Sequence, residues 1–142
     1  MRPLSVVIEK PDDWRSYQPS AQVLTARDYL SQVPERSREP HRVINLCRSY
    51  KYLSEGYYVT LLAEARGQRV LPSLKTINDL SRRTLYRVDL EAQEDTLDRL
   101  LKRMGERGES TLKFRSCFGR SAEAELMPLA RQLWELFPCP IL

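Results

Sequence analysis

With 142 residues, 42% hydrophobic and 30% charged, the chain has the size and composition of one globular domain that buries a core of its own. No apolar run approaches the roughly 18 residues of a membrane span. Residues 1–8 end at Glu9-Lys10 like a strand, not like a signal peptide, so the cytoplasm is the expected location. The net charge of +4 is mild and spread along the chain. The basic pairs Arg82-Arg83 and Lys102-Arg103 lack interleaved aromatics, which argues against a nucleic-acid surface.

Leu4 to Ile8 is a continuous apolar run of the kind that forms a strand buried on both faces. Lys10-Pro11-Asp12-Asp13-Trp14 follows as a turn, because Pro-Asp chemistry stops the strand. Val23 and Leu24 read as a second short strand, and Thr25 caps a short helix over residues 26–30. Residues 31–41 carry two prolines and many charges and read as a surface loop.

The central unit spans residues 42–67. Val43, Ile44 and Leu46 predict a buried strand. A polar, aromatic turn leads into a helix with Ser54 as N-cap, Glu55 on its positive end and Gly67 as an αL stop. Tyr58, Leu61, Leu62 and Ala65 recur at helical spacing and are the expected inner face, which would make Tyr58 a core residue.

Residues 69–73 predict a short strand ending at Pro72. A helix over 76–83 with Ile77 and Leu80 inward follows, then a strand over 85–88. An amphipathic helix is expected over 94–104, with Gly105 as its stop. Thr111 to Phe118 reads as a strand with Leu112, Phe114 and Ser116 inward. A last helix covers residues 121–137 with Leu126, Ala130, Leu133, Trp134 and Phe137 as its stripe. Pro128 either kinks it or sits at N1 of a shorter helix starting near Met127. Residues 138–142 read as a linker cut short. Alternating strands and helices predict an α/β fold, a small, open, mostly parallel sheet flanked by helices in one domain over residues 1–142.

Three cysteines, Cys47, Cys117 and Cys139, lack CxxC spacing, and one histidine, His41, excludes a multi-histidine site, so no metal is expected. A Cys47–His41 nucleophile–base pair competes with a buried thiol and a loop imidazole, and the simpler reading is preferred. No phosphate loop, GxGxxG or full catalytic set is visible.

The stretch 47–58 is where ligand chemistry concentrates, since ligands of open α/β sheets sit at the carboxyl ends of strands. Arg48 offers a planar fork of donors suited to a carboxylate or phosphate. Lys51, Ser49 and four tyrosines, Tyr50, Tyr52, Tyr57 and Tyr58, accompany it with polar tips and flat walls. Gly56 would let a ligand approach the backbone at a helix N-terminus. The competing reading is that Arg48 pairs with an acid and some tyrosines are core. Arg120, in Cys117-Phe118-Gly119-Arg120-Ser121, repeats the pattern at another strand exit, where an ordinary strand-to-helix turn is the alternative.

The run Asn45-Leu46-Cys47-Arg48-Ser49-Tyr50-Lys51-Tyr52-Leu53-Ser54-Glu55-Gly56-Tyr57-Tyr58, continued to Gly67, resembles the signature of the N-terminal domain of RimK-like ATP-grasp proteins. The likeness extends through Leu71-Pro72-Ser73 with Thr76, Ile77, Asp79 and Leu80, through Phe118-Gly119-Arg120 and Leu136-Phe137-Pro138-Cys139-Pro140-Ile141-Leu142, and takes in Ala26-Arg27-Asp28-Tyr29-Leu30, Val6-Val7-Ile8 and Asp13-Trp14. The resemblance implies a Rossmann-like, pre-ATP-grasp fold and a C-terminal ATP-grasp module beyond Leu142. That module would supply ATP and magnesium binding, so no cofactor and no catalytic residue are expected in these 142 residues.

It further implies an accessory, substrate-side domain of a carboxylate–amine (peptide or glutamate) ligase. Arg48 would hold the carboxylate of an amino acid or peptide, Asn45, Ser49, Tyr50, Tyr52 and Tyr57 would orient it, and Arg120 would assist. The alternative is an interaction domain that docks the ligase module or a second copy of itself. A third reading makes Cys47 the nucleophile of a free-standing enzyme.

Overall fold

The computed structural model describes residues 4–14, 22–32, 41–81 and 115–142, with the single positions 95, 98, 99, 102, 105, 106 and 108. The chain falls into two compact units, Met1–Ser81 and Arg82–Leu142.

In the first unit, β1 (Leu4–Ile8), β2 (Gln22–Thr25), β3 (Arg42–Asn45) and β4 (Arg69–Leu71) form one sheet in the order β2-β1-β3-β4. Every pair is parallel, with Val6 opposite both Val23 and Ile44, and Val43 opposite Val70. The mostly parallel α/β sheet expected from the alternation is therefore present. Its middle strand, β1, is buried from Ser5 to Ile8 because helices cover a parallel sheet.

Three helices accompany the strands: α1 (Ala26–Ser31), α2 (Glu55–Ala65) and α3 (Leu74–Ser81). Local chemistry sets their ends. The Thr25 hydroxyl accepts from the Asp28 N–H at 3.1 Å and the Ser54 hydroxyl from the Tyr57 N–H at 3.2 Å, each as an N-cap. Gly67, at φ +70°, ends α2. Its N–H donates to the Glu64 carbonyl and the Gln68 N–H to the Ala63 carbonyl, both at 2.9 Å, the double bond of a Schellman motif. Helix α3 begins two residues before its predicted start. The Ser73 hydroxyl accepts from the Thr76 N–H at 3.1 Å and the Glu64 carboxylate accepts from the Leu74 N–H at 2.7 Å. Ile77 is buried as expected.

The core gathers Val7, Val43, Cys47, Val59, Ala63 and Val70 with Ala26 and Tyr29. Burial of each valine side chain is worth about 1.5–3 kcal/mol. Helix α2 turns a different face inward from the one its apolar stripe suggests. Gly56, Val59, Thr60 and Ala63 are buried, while Tyr58 is 40% exposed and Leu61 38% exposed. Small and β-branched side chains let the helix lie close to its neighbours, and the larger apolar residues are left outside. Tyr29 ties α1 to the end of α2. Its hydroxyl donates to the Gln68 side chain, and the Arg66 guanidinium lies 5.0 Å from its ring centroid.

In the second unit, Ser116 and Leu142 exchange backbone bonds of 2.8 and 2.9 Å, and the Phe118 N–H donates to the Pro140 carbonyl. Cys117 bridges Arg120 and Ile141 in antiparallel fashion. The described end of the predicted strand, residues 115–118, is not a strand but an isolated bridge at Cys117 leading into a turn, although Ser116 is buried and Cys117 exposed as expected. A single 3-10 turn (Ala124–Leu126) leads into α4 (Met127–Leu136), with Pro128 in the first turn, so the shorter of the two predicted helices is the one formed. Leu126, Leu129, Ala130 and Phe137 are buried. The strand predicted over 85–88, most of the helix over 94–104 and the start of the strand at 111–114 lie outside the described residues.

Among the described residues, no helix is long and apolar enough to cross a membrane.

Candidate functional site at the strand switch point

Strand order reverses between β1 and β3, because the chain passes from β1 to β2 on one side and returns to β3 on the other. In open α/β sheets this reversal opens a crevice at the carboxyl ends of the two strands. Residues 9–14 leave β1 on one side of it, and residues 46–54 leave β3 on the other.

Asn45 organises the second of these turns from inside. It is fully buried, and its side-chain amide donates to the Gly56 carbonyl at 2.7 Å and the Thr60 hydroxyl at 3.0 Å. Its side-chain oxygen accepts from the Cys47 N–H at 3.1 Å. The amide is thus committed to the scaffold. The Tyr50 hydroxyl donates to the Asn45 carbonyl at 2.7 Å, folding the turn back on the strand end. The Ser54 hydroxyl, besides capping α2, donates to the Ser49 carbonyl at 2.9 Å.

Gly56 is where the turn and α2 touch. A Cβ there would lie 2.3 Å from the Ser49 carbonyl oxygen and 2.8 Å from the Cys47 Cβ. The close approach expected at this glycine is therefore made by the protein's own turn.

Arg48 reaches across the crevice. Its backbone N–H donates to the Glu9 carboxylate at 3.0 Å. Its Nε donates to Asp13 Oδ1 at 3.1 Å, and Nη2 pairs with the same oxygen. The Arg48 side chain is 54% exposed and that of Asp13 19%. The guanidinium, with help from the Lys10 backbone N–H, holds the Asp13 carboxyl below its usual value. The acid that the competing reading of Arg48 required is Asp13, a residue of the turn after β1 that the sequence does not mark as its partner. It lies 35 positions upstream, and only the β1–β3 pairing makes the two neighbours.

The tyrosines divide. Tyr52 is 75% exposed and meets Tyr57 edge-on at 5.3 Å between centroids, and Tyr57 meets Tyr58 at 5.8 Å. Together they form an aromatic ledge on the outer side of the turn. Ser49 is half-buried, and its hydroxyl accepts from the Lys51 N–H at 3.3 Å.

Arg120 belongs to the second unit. Phe118 at φ +48° and Gly119 at φ +72° are the centre of a tight turn whose ends, Cys117 and Arg120, exchange backbone bonds of 2.8 and 3.0 Å. Positive φ at both central positions is the signature of a type I′ hairpin turn. Arg120 is exposed. A Cβ on Gly119 would lie 2.8 Å from the Cβ of Trp134, which packs directly on that turn.

Cys47 and His41 do not form a pair. The His41 Nε2 lies 2.8 Å from the Ser5 hydroxyl, before β3, whereas Cys47 follows it. Burial, with Glu9, Glu55 and Asp13 nearby, pushes the Cys47 thiol up to about 12, which favours the protonated thiol at neutral pH. Among the described residues no three His, Cys, Asp or Glu side chains gather as a metal site.

No curated protein and no solved structure matches the chain. A family model does, that of the RimK-like ATP-grasp N-terminal domain, over residues 26–142. The matched span begins at Ala26, the first residue of α1, and includes the whole turn after β3, and on that match the chain belongs to the RimK-like ATP-grasp N-terminal domain family.

Proposed function

We propose that this chain is the accessory, substrate-side domain of an ATP-dependent carboxylate–amine ligase and is not catalytic alone. Family membership sets it in the context of ATP-grasp ligases. In this reading ATP and magnesium are held by an ATP-grasp module of the same protein.

The observation that carries the reading is the Arg48 guanidinium at the switch-point crevice, held in place by Asp13 yet half exposed. Asp13 engages Nε and Nη2, and among the described residues nothing takes Nη1. A substrate carboxylate would dock on that open edge, where the fixed fork of donors makes charge-assisted bonds. Ser49, Tyr50, Tyr52 and Tyr57 would shape the approach, and Asn45 would fix the turn from within.

Steady-state kinetics of Arg48→Ala in the full-length enzyme test this. The expected result is a KM for the carboxylate-bearing acceptor raised about tenfold or more, from loss of one charge-assisted contact, with the KM for ATP unchanged. Unaltered acceptor kinetics would refute it.

A second reading is favoured by the outer side of α2 and its approach, where Tyr52, Leu53, Tyr58 and Leu61 are exposed. Such apolar surface suits docking to the ligase module or to a second copy of the chain. Light scattering is expected to show a concentration-dependent dimer, or a stable complex with the separately expressed module. A strictly monomeric chain that ignores the module contradicts this reading.

A further inference from the structure

Helix α2 is apolar on two opposite sides. Gly56, Val59, Thr60 and Ala63 turn inward and are buried. At about 100° per residue, Tyr58, Leu61, Leu62 and Ala65 fall on the far side of the helix. Tyr58, Leu61 and Ala65 are exposed there, and Leu62 is half-buried. Tyr52 joins this surface through its ring contact with Tyr57, which in turn meets Tyr58. Leu53, next to it, is 61% exposed. No charged side chain interrupts the stripe of Ser54, Tyr58, Leu61, Leu62 and Ala65. A helix that is apolar all round belongs under cover on every side.

Leu53 is an independent sign that this surface is used. It sits at φ +68°, in the left-handed region where its Cβ crowds a neighbouring carbonyl. The turn around it is closed by the Ser54 N–H donating to the Lys51 carbonyl at 2.9 Å. Glycine would hold this conformation without strain. An exposed leucine gains little from its own core in return. A strained side chain that its own fold does not need points to a contact outside that fold.

The surface is tapered so that it fits itself. Its bulk, Tyr52, Leu53 and Tyr58, lies toward the amino-terminal end of α2, and the other end presents the small, exposed Ala65 and Gly67. Two antiparallel copies of α2 set the bulky end of each against the small end of the other. That self-complementarity is what an isologous two-fold contact requires. The area is also that of a dimer. Tyr52, Leu53, Tyr58 and Leu61 together expose roughly 400 Å², taking about 150–250 Å² for a whole aromatic side chain. With Leu62 and Ala65 beside them, that is the non-polar share of an interface of about 800 Å² per partner. We infer that this side of α2, with Tyr52 and Leu53, is the interface of a homodimer. The two α2 helices pack antiparallel across a two-fold axis near Leu61, the outward residue next to the middle of the helix. The inference rests on the docking reading of this surface and commits it to a second copy of the chain.

The test is sedimentation equilibrium of the full chain from about 1 to 200 μM, a range that spans micromolar affinities. A monomer–dimer equilibrium is expected. Leu61→Glu and Leu61→Lys each bring like charges together across the axis and should weaken the dimer about tenfold or more. An equimolar mixture of the two should recover association, because opposite charges then meet. Leu53→Gly should also weaken the dimer about tenfold, while the urea midpoint of the dilute chain stays level or rises as the strain is relieved. Ile141→Ser, at an exposed apolar position of the second unit, should leave the dimer unchanged. A chain that is monomeric over the whole range, a dimer indifferent to the Leu61 and Leu53 variants, or a charge-swapped mixture that stays monomeric would each overturn the inference. A monomeric chain that still binds the separately expressed ligase module would overturn the dimer and leave the docking reading standing.

Discussion

Replacing Gly56 by alanine is expected to destabilise the first unit by about 3 kcal/mol, although alanine is the better helix former. Propensity alone favours the variant by about 1 kcal/mol. Against that stands a Cβ 2.3 Å from the Ser49 carbonyl oxygen and 2.8 Å from the Cys47 Cβ. Neither neighbour is the far end of a flexible side chain. To relieve the clash the turn and α2 must separate, and that lengthens the Asn45 bond to the Gly56 carbonyl and the Ser54 bond to the Ser49 carbonyl. Strain and the loss of these bonds outweigh the gain in propensity. Urea unfolding measures the balance, and a variant as stable as the parent would show that the turn yields freely.

Changing Asn45 to leucine keeps the approximate volume and removes every polar bond the side chain makes. The Gly56 carbonyl and the Cys47 N–H then lose their side-chain partner in a fully buried setting. Thr60 retains its bond to the Pro72 carbonyl at 3.2 Å. Each of these two groups costs about 1–3 kcal/mol when left without that partner, so a loss of about 2–6 kcal/mol is expected. Asn45→Asp sharpens the test. A carboxylate there faces the Gly56 carbonyl without a proton to donate, and burial raises its pKa above the unfolded value near 3.9. The protonated form is favoured in the fold. Its stability is therefore fully present below the unfolded pKa and is lost as the pH rises through the folded pKa. Relative to the parent, this variant should be more stable at pH 4 than at pH 8. The opposite slope would place Asn45 in a solvated site.

Much of this arrangement is legible in the sequence, and the boundary between what is and what is not has a physical cause. The caps at Thr25 and Ser54 and the stop at Gly67 depend on residues within a turn of one another, and each is read correctly from the chain. The four strands of the first unit likewise follow from short apolar runs between breakers. The inner face of α2 is misjudged because hydrophobicity ranks Tyr58 and Leu61 above Gly56, Thr60 and Ala63. Close helix packing selects for size, and size overrides the apolar stripe. Gly56 is recognised as a point of close approach but with the wrong visitor.

The candidate site shows the same division. The stretch 47–58 is singled out from its composition, and its residues are where the strand switch places them. What stays hidden are the partners that arrive from other strands. Asp13 meets Arg48 only through the pairing of β1 with β3, and Lys10 and Arg27 come to one end of the sheet only through the pairing of β1 with β2. Neither relation has a spacing in the chain. A sheet order alone would have been enough to predict both.

The most direct test of the substrate-side assignment is a thermal-shift titration of this chain with N-acetylated acidic peptides bearing a free carboxylate, set beside ATP with magnesium. A ligand that binds only the folded state raises its melting temperature by mass action. The assignment predicts a rise with the peptides that disappears in Arg48→Ala, and no rise with ATP and magnesium. A rise with ATP and magnesium alone, untouched by Arg48→Ala, would contradict it and put the nucleotide in this domain.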